Sequence, residues 1–217
     1  MSFPRIFFPA LALVLAPLVS AAPERWAATI DKFTAADATN PPARNGVVFV
    51  GSSSIVKWAS LAEDFPGLKV INRGFGGSQL EDSVYYADRV VIQYRPRTVV
   101  LYAGDNDLSA GKSPESVFAD FKAFVAKVHA ALPETRIVYI AIKPSPSRWK
   151  LKDKVVQTNR LIADECARDR RLSFADIYTP MLDAKGEPRP ELFVKDMLHL
   201  NAAGYAVWTP VVAPLLK

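Results

Sequence analysis

The chain has 217 residues, of which 50% are hydrophobic and 23% are charged, and its formal net charge is +5. This length suits one well-buried domain and is too short for two of ordinary size, and the composition excludes extensive disorder. The positive charge is not gathered into a basic run, because the densest cluster, residues 168–171, contains an aspartate. We therefore expect no nucleic-acid-binding face.

The first 21 residues have the pattern of a secretory signal peptide. Arg5 precedes an apolar run over residues 6–19, and the residues up to Ala21 are of the small kind found before a cleavage site. The run is too short to cross a bilayer comfortably. We predict cleavage after Ala21, a single mature domain over residues 22–217 without a stable membrane span, and a secreted or periplasmic location. An uncleaved anchor is the alternative.

Strands and helices alternate along the rest of the chain. Apolar runs typical of buried parallel strands occupy residues 47–50, 68–71, 98–102, 136–142 and 172–176. Helical patterns occupy residues 23–38, 55–65, 80–94, 114–132, 150–168 and the segment from 201 onward. This alternation predicts an α/β fold with three α/β/α layers and a five-stranded parallel sheet covered on both faces.

The first strand leads into Gly51 and three hydroxyl side chains, Ser52, Ser53 and Ser54. Glycine permits a sharp turn, and open α/β sheets bind ligands just beyond the carboxyl ends of their strands. Alone, this pattern favours a turn or a helix cap. A serine here becomes a nucleophile only if a base and an oxyanion-binding site arrive from elsewhere.

Three further features follow later in the chain. A glycine-rich stretch, residues 72–78, follows the second strand, Asn106 follows the third, and Asp196 precedes His199 by three residues before the last helix. An aspartate at that spacing can orient an imidazole if the loop curls back. Because the carboxyl ends of parallel strands lie along one edge, these features and the serines can converge on one crevice.

The only cysteine is Cys166 and the only histidines are His129 and His199. One cysteine forms neither an intramolecular disulfide nor a cysteine-based metal site, and two histidines nearly exclude a multi-histidine metal centre. Cys166 lies in a helical pattern and is interpreted as a small buried residue. His129 lies one position off an apolar stripe and is interpreted as structural or solvated. We expect no metal and no cofactor.

These blocks, in this order, resemble those of the GDSL-type, or SGNH, hydrolases; they are residues 49–53, 72–77, 104–107 and 196–199. The resemblance covers nearly all of the mature chain and implies a flavodoxin-like SGNH-hydrolase fold. One position departs from the family pattern, since Ser52 stands where an aspartate usually precedes the catalytic serine. This leaves open the choice of nucleophile between Ser53 and its neighbours.

The resemblance also implies a site. Ser53 would be the nucleophile of a catalytic triad with Asp196 and His199. The oxyanion hole would consist of the backbone N–H groups of Ser53 and Gly74 and the side-chain amide of Asn106. The implied reaction is hydrolysis of short or medium carboxylic esters, including acetyl esters, through an acyl-serine intermediate.

The substrate could be a small-molecule, carbohydrate or lipid ester. Because no long exposed apolar lid is evident in the sequence, we favour small acyl groups on a polar carrier. Two alternatives stay open: a binding protein that keeps the fold without the chemistry, for which Ser52 is the only support, and an acyltransferase that uses the same site. The sequence does not indicate the oligomeric state.

Other residues near the blocks have structural interpretations. We expect Asp105 and Asp107 to form the turn after the third strand. Trp58 and Arg73 lie near the predicted crevice and are interpreted as packing or surface residues. The loop 143–147 follows the fourth strand and is expected to form a rim rather than to supply a catalytic hydroxyl.

Overall fold

A computed structural model describes residues 23–216, so the predicted signal peptide lies outside the described residues. Its five strands are β1 (Val47–Gly51), β2 (Val70–Gly74), β3 (Thr98–Tyr102), β4 (Arg136–Ile140) and β5 (Leu172–Ala175). All pair in parallel, in the order β2-β1-β3-β4-β5. This is the flavodoxin-like order, in which the connections reverse direction between β1 and β3.

The α-helices are α1 (Ala27–Thr39), α2 (Ser53–Val56), α3 (Leu61–Asp64), α4 (Leu80–Val90), α5 (Asp105–Ser109), α6 (Pro114–Ala131), α7 (Lys152–Cys166) and α8 (Ala202–Val212). Short 3-10 turns lie at Pro23–Trp26, Ile92–Tyr94, Pro146–Leu151, Thr179–Met181, Pro190–Leu192 and Ala213–Leu216. None of these described helices combines the length and apolar character that a membrane crossing requires.

The sheet is covered on both faces, which confirms the predicted three-layer architecture. Successive residues of β1 point to opposite sides, so that Val48 and Val50 join one core cluster and Val47 and Phe49 join the other. The first cluster contains the buried sides of α1, α4, α6 and α7, and the second contains those of α2, α3 and α8. The apolar runs of the sequence are thus strands buried on both faces.

The predicted helix over residues 55–65 is wrong in extent. Residues 57–60 form a turn that separates α2 from α3. Trp58 lies in this turn, 1% exposed, and its indole N–H donates to Asp64 at 2.6 Å. The Trp58 indole therefore packs in the core although its backbone is in a turn. Ile55, Trp58 and Leu61 are all buried in the same cluster, as their spacing predicted, without forming one continuous helix.

The second strand extends further than its apolar run. Asn72, predicted to begin a glycine-rich turn, pairs with Phe49 inside the sheet, and Gly74 pairs with Gly51 at the end of β2. The ladder with β1 decides this boundary, which polar residues and glycine do not indicate locally. The turn therefore begins only after Gly74, and the next glycine, Gly76, lies close to Ser53.

Candidate active site

Ser53 is the first residue of α2, at the carboxyl end of β1. The chain turns at Gly51, whose φ is +134° and where a Cβ would lie 1.9 Å from the backbone oxygen of Tyr102. Only glycine tolerates both that φ and that approach. Ser52 and Ser54 are fully buried, whereas Ser53 is partly exposed. Of the three consecutive hydroxyls, the structure places the Ser53 hydroxyl where a ligand can reach it.

The imidazole of His199 links Ser53 to Asp196. Its Nε2 lies 2.9 Å from Ser53 Oγ, and its Nδ1 lies 2.6 Å from Asp196 Oδ2. A carboxylate is only an acceptor here, so the assigned tautomer has the proton on Nδ1 and leaves Nε2 free to accept from the Ser53 hydroxyl. The geometry therefore forms a continuous chain from carboxylate to imidazole to hydroxyl.

The Asp196 carboxylate is held by its own turn. Asp196 Oδ1 accepts from the backbone N–H groups of Leu198 and His199, both at 2.9 Å. The backbone N–H of His199 and then its imidazole hold the pKa of Asp196 well below its usual range. The carboxylate is thus charged throughout the neutral range and can offset positive charge that develops on the imidazole.

Asn106 lies in the first turn of α5, shortly after the carboxyl end of β3. Its side-chain amide is fixed on both sides, because Nδ2 donates to the carbonyl of Ser78 at 3.0 Å and Oδ1 accepts from Arg148 at 3.0 Å. An amide nitrogen carries two N–H groups. One N–H of Asn106 is therefore engaged by Ser78, and within residues 23–216 the other N–H has no acceptor.

The glycine block presents two glycines in different ways. The Gly74 N–H donates to Asn72 Oδ1 at 2.9 Å, inside β2. Gly76 lies beside the nucleophile instead, since a Cβ on it would be 3.8 Å from Ser53 Cβ. Within residues 23–216, the N–H of Gly76 has no hydrogen-bond acceptor. The structure thus places Gly76 beside Ser53, whereas the N–H of Gly74 is already bonded to the Asn72 side chain. The two glycines could be told apart from the sequence only if the end of β2 were known.

Asp105 belongs to a buried charge cluster. Its Oδ2 lies 3.0 Å from Lys143 Nζ and 3.2 Å from a terminal guanidinium nitrogen of Arg148. Burial opposes the charge of Asp105, but the Lys143 ammonium and the Arg148 guanidinium outweigh it, so its pKa is lowered. The sequence predicts only a turn residue at Asp105, because a lysine and an arginine in a polar loop give no sign that they pair with it.

Asp107 faces away from this cluster. Its two oxygens share the backbone N–H of Leu80, at 3.0 and 3.2 Å, and one lies 3.5 Å from Lys112 Nζ. The side chain is completely buried. Burial raises the pKa of Asp107 to about 6. It therefore connects α5 to the start of α4, rather than bonding only within its own turn.

The remaining singled-out residues are structural. Arg73 is buried and ion-paired with Asp37. His129 contacts the backbone oxygen of Thr135 through Nε2 at 3.0 Å. Cys166 is buried, and burial raises the pKa of its thiol to about 12. Over residues 23–216, no group of three or more His, Cys, Asp or Glu side chains is arranged to hold a metal ion.

Comparisons with known proteins identify the family. The GDSL-like Lipase/Acylhydrolase family matches residues 31–207. The chain belongs to this family. Its members' shared chemistry supports ester hydrolysis as the general activity of this GDSL-like protein. No protein of curated function matches it by sequence.

Solved structures confirm the fold of this GDSL-like protein. A Streptococcus pneumonia protein, provisionally named as a platelet activating factor, superposes with a TM-score of 0.78 at 19% identity over 90% of this chain and 94% of its own. A GDSL-like lipase from Bacteroides thetaiotaomicron gives 0.73 at 20% identity over 87% and 97%. A carbohydrate esterase family 3 protein from Talaromyces cellulolyticus gives 0.64 at 18% identity over 78% and 95%. At these identities the likeness concerns the fold.

Proposed function

We propose that this protein is a serine esterase that hydrolyses carboxylic esters through an acyl intermediate on Ser53. The observation that carries the proposal is the 2.9 Å contact between Ser53 Oγ and His199 Nε2, made between residues 146 positions apart. A contact over that separation requires the end of β1 and the last loop to meet in the folded chain. Its partner on the other side of the imidazole, Asp196, completes the arrangement that activates a serine hydroxyl.

The first half of the reaction forms the acyl-enzyme. Ser53 Oγ attacks the ester carbonyl carbon while His199 Nε2 takes the hydroxyl proton, and Asp196 offsets the charge on the imidazolium. The carbonyl oxygen becomes an oxyanion, which the N–H of Ser53 and the free N–H of Asn106 would stabilise. When the tetrahedral intermediate collapses, the alcohol leaves with the proton from His199.

The second half returns the enzyme to its starting state. Water gives a proton to His199 Nε2 and attacks the acyl carbon, and the second tetrahedral intermediate releases the carboxylic acid while Ser53 Oγ regains its proton. Transfer to another alcohol would use the same groups, with the alcohol in place of water.

The backbone donor from the glycine block is assigned to Gly76 in this proposal. The resemblance had implied Gly74, whose N–H is engaged by the Asn72 side chain. Gly76 lies next to Ser53 Cβ and has an unengaged N–H in the described part of the chain. In this proposal Ser53, Gly76 and Asn106 are the three oxyanion donors.

We propose a short acyl group on a polar carrier as the substrate. In residues 23–216 the exposed large apolar side chains are single residues scattered along the sequence, not a continuous apolar segment; they are Val56, Tyr85, Val156, Val194 and Met197. A long acyl chain would need a continuous apolar surface to leave water. A series of 4-nitrophenyl esters from acetate to decanoate tests this, with kcat/KM expected to fall beyond the shorter chains.

The mechanism is tested by labelling and mutation together. A fluorophosphonate should modify Ser53, mapped by peptide mass spectrometry, and labelling should be lost in Ser53→Ala but kept in Ser52→Ala. His199→Ala should reduce ester turnover by about 10⁴-fold or more, whereas His129→Ala, the matched control, should leave it near wild type. Turnover that survives both Ser53→Ala and His199→Ala would refute the mechanism, and a folded protein without turnover or labelling would favour the binding-protein alternative.

We also propose that the chain is exported and cleaved after Ala21. The basis is the sequence pattern of residues 1–21, which lies outside the described part of the structure. Amino-terminal sequencing of protein recovered from the periplasm or medium of an expressing bacterium should begin at Ala22. A membrane-bound product that begins at residue 1 would support the anchor instead.

A further inference from the structure

We propose that Arg148 is a positioning residue of the active site, which orients the Asn106 amide towards the bound ester and supplies positive charge behind it. The inference rests on the proposed function, since it concerns how one oxyanion donor is held. Arg148 has no place in the sequence blocks that identified the site. Its guanidinium donates to Asn106 Oδ1 at 3.0 Å.

The first step of the argument concerns the direction of the amide. An Asn side chain can turn over and exchange its oxygen with its nitrogen, and the exchange would present an acceptor to the oxyanion. A guanidinium has only donors, so the Arg148 bond is made only when Oδ1 faces it. The bond from Asn106 Nδ2 to the Ser78 carbonyl, 3.0 Å, requires the same orientation. The two contacts together hold an N–H group towards the crevice.

The second step concerns charge. Lys143, Asp105 and Arg148 form one cluster, and Lys143 and Asp105 are nearly inaccessible, with side-chain exposures of 1% and 7%. Two cations and one carboxylate leave a net positive charge. Because Arg148 is the member in contact with Asn106, this charge lies directly behind the donor. Hydrogen bonding to the amide oxygen also polarises the amide and makes its N–H a stronger donor.

The third step concerns how Arg148 itself is held. It lies in the 3-10 turn Pro146–Leu151, where its φ of −116° departs from helical values. The preceding residue, Ser147, donates its backbone N–H to the carbonyl of Met197 at 3.1 Å. Met197 lies between Asp196 and His199. Ser147 therefore contacts the loop that carries His199, and the next residue, Arg148, contacts Asn106. The turn thus fixes the position of Asn106 relative to that loop.

A mutant cycle with 4-nitrophenyl acetate as substrate tests this role. Arg148→Ala should lower kcat about 10- to 100-fold, with KM changed less than about 3-fold, because the lost interaction favours the transition state. In an Asn106→Ala background the same change should cost less than about 3-fold, since the donor it orients is absent. Arg148→Lys, which keeps charge but not the guanidinium geometry, should recover part of the loss.

Controls separate the possible failures. Arg160→Ala, at a position whose side chain is 83% exposed, should match wild type. Circular dichroism and melting temperature verify folding, and Arg148→Lys carries the test if Arg148→Ala does not fold. Equal losses from Arg148→Ala with and without Asn106, or a loss confined to KM, would overturn the positioning role. Turnover surviving in Ser53→Ala would instead overturn the proposed function, which this variant, measured in parallel, reports independently.

Discussion

Replacing Asp107 by Asn should stabilise the protein above pH 6 and leave it unchanged near pH 4. The carboxyl is completely buried; its two oxygens share the backbone N–H of Leu80, its own backbone N–H also interacts with it, and Lys112 Nζ lies 3.5 Å away. That is little compensation for burying a charge. An Asn side chain can accept the same N–H through its oxygen while carrying no charge at any pH.

The magnitude follows from the pKa. Burial raises the pKa of Asp107 from 3.8 to about 6 in the folded protein. Between these values the folded state holds a proton that the unfolded state has lost, so stability from this group is complete below about pH 4 and is lost as the pH rises through about 6. The difference corresponds to about 3 kcal/mol, at 1.36 kcal/mol per pKa unit. The shift already includes the opposing effect of the Lys112 ammonium, so we expect the variant to gain up to about 3 kcal/mol at pH 7.5.

The assay is urea unfolding of wild type and Asp107→Asn at intervals from pH 4 to pH 8. Burial also raises the pKa of Asp82, but that group is present in both proteins and cancels in their difference. Asp164→Asn, at a side chain 59% exposed, is the control and should follow wild type at every pH. A difference between wild type and Asp107→Asn that does not change with pH would refute the reasoning.

Two further predictions concern the turn and the triad. Gly51→Ala should lower the free energy of unfolding by about 3 kcal/mol or more, because the new Cβ would lie 1.9 Å from the Tyr102 backbone oxygen. Gly186→Ala has open space around the new Cβ and should lower it by only about 1 kcal/mol. Urea unfolding measures both. Equal costs would contradict this. Asp196→Asn should lower kcat by about 10²- to 10³-fold, less than His199→Ala. The amide oxygen can still accept the backbone N–H groups of Leu198 and His199, but the side chain no longer offsets the imidazolium charge. A loss in a kinetic assay equal to or larger than that of His199→Ala would reject this division of roles.

The carboxyl ends of β1 and β3 could be predicted because their signals are local. Buried parallel strands give continuous apolar runs, and the rule that their carboxyl ends share an edge predicts that Ser53 and Asn106 lie on the same side of the sheet. The helix after residue 113 was equally readable, since Ser113 caps it and accepts from the Ser116 N–H at 3.2 Å. Each of these features depends on residues close together in the chain.

What could not be predicted depends on distant partners. The engagement of Gly74 follows from the extension of β2 along β1, and this extension brings the next glycine, Gly76, to the nucleophile. Lys143 and Arg148 are ordinary loop residues by composition, and only the position of Asp105 on another strand end makes their burial favourable. The family pattern predicts which types of residue form the site. Which of several serines or glycines occupies each position depends on tertiary contacts.

The two contacts of the imidazole differ greatly in what is needed to bring their atoms together. Asp196 and His199 are 3 residues apart, and Ser53 and His199 are 146 apart. Loop-closure entropy grows as the logarithm of the separation, about 1 kcal/mol for the first contact and about 4 kcal/mol for the second. The acid and base thus meet within one local turn, whereas partial unfolding that separates the last loop from β1 would break the Ser53–His199 contact together with the hydrogen bond from the Tyr205 hydroxyl to the Ser54 carbonyl.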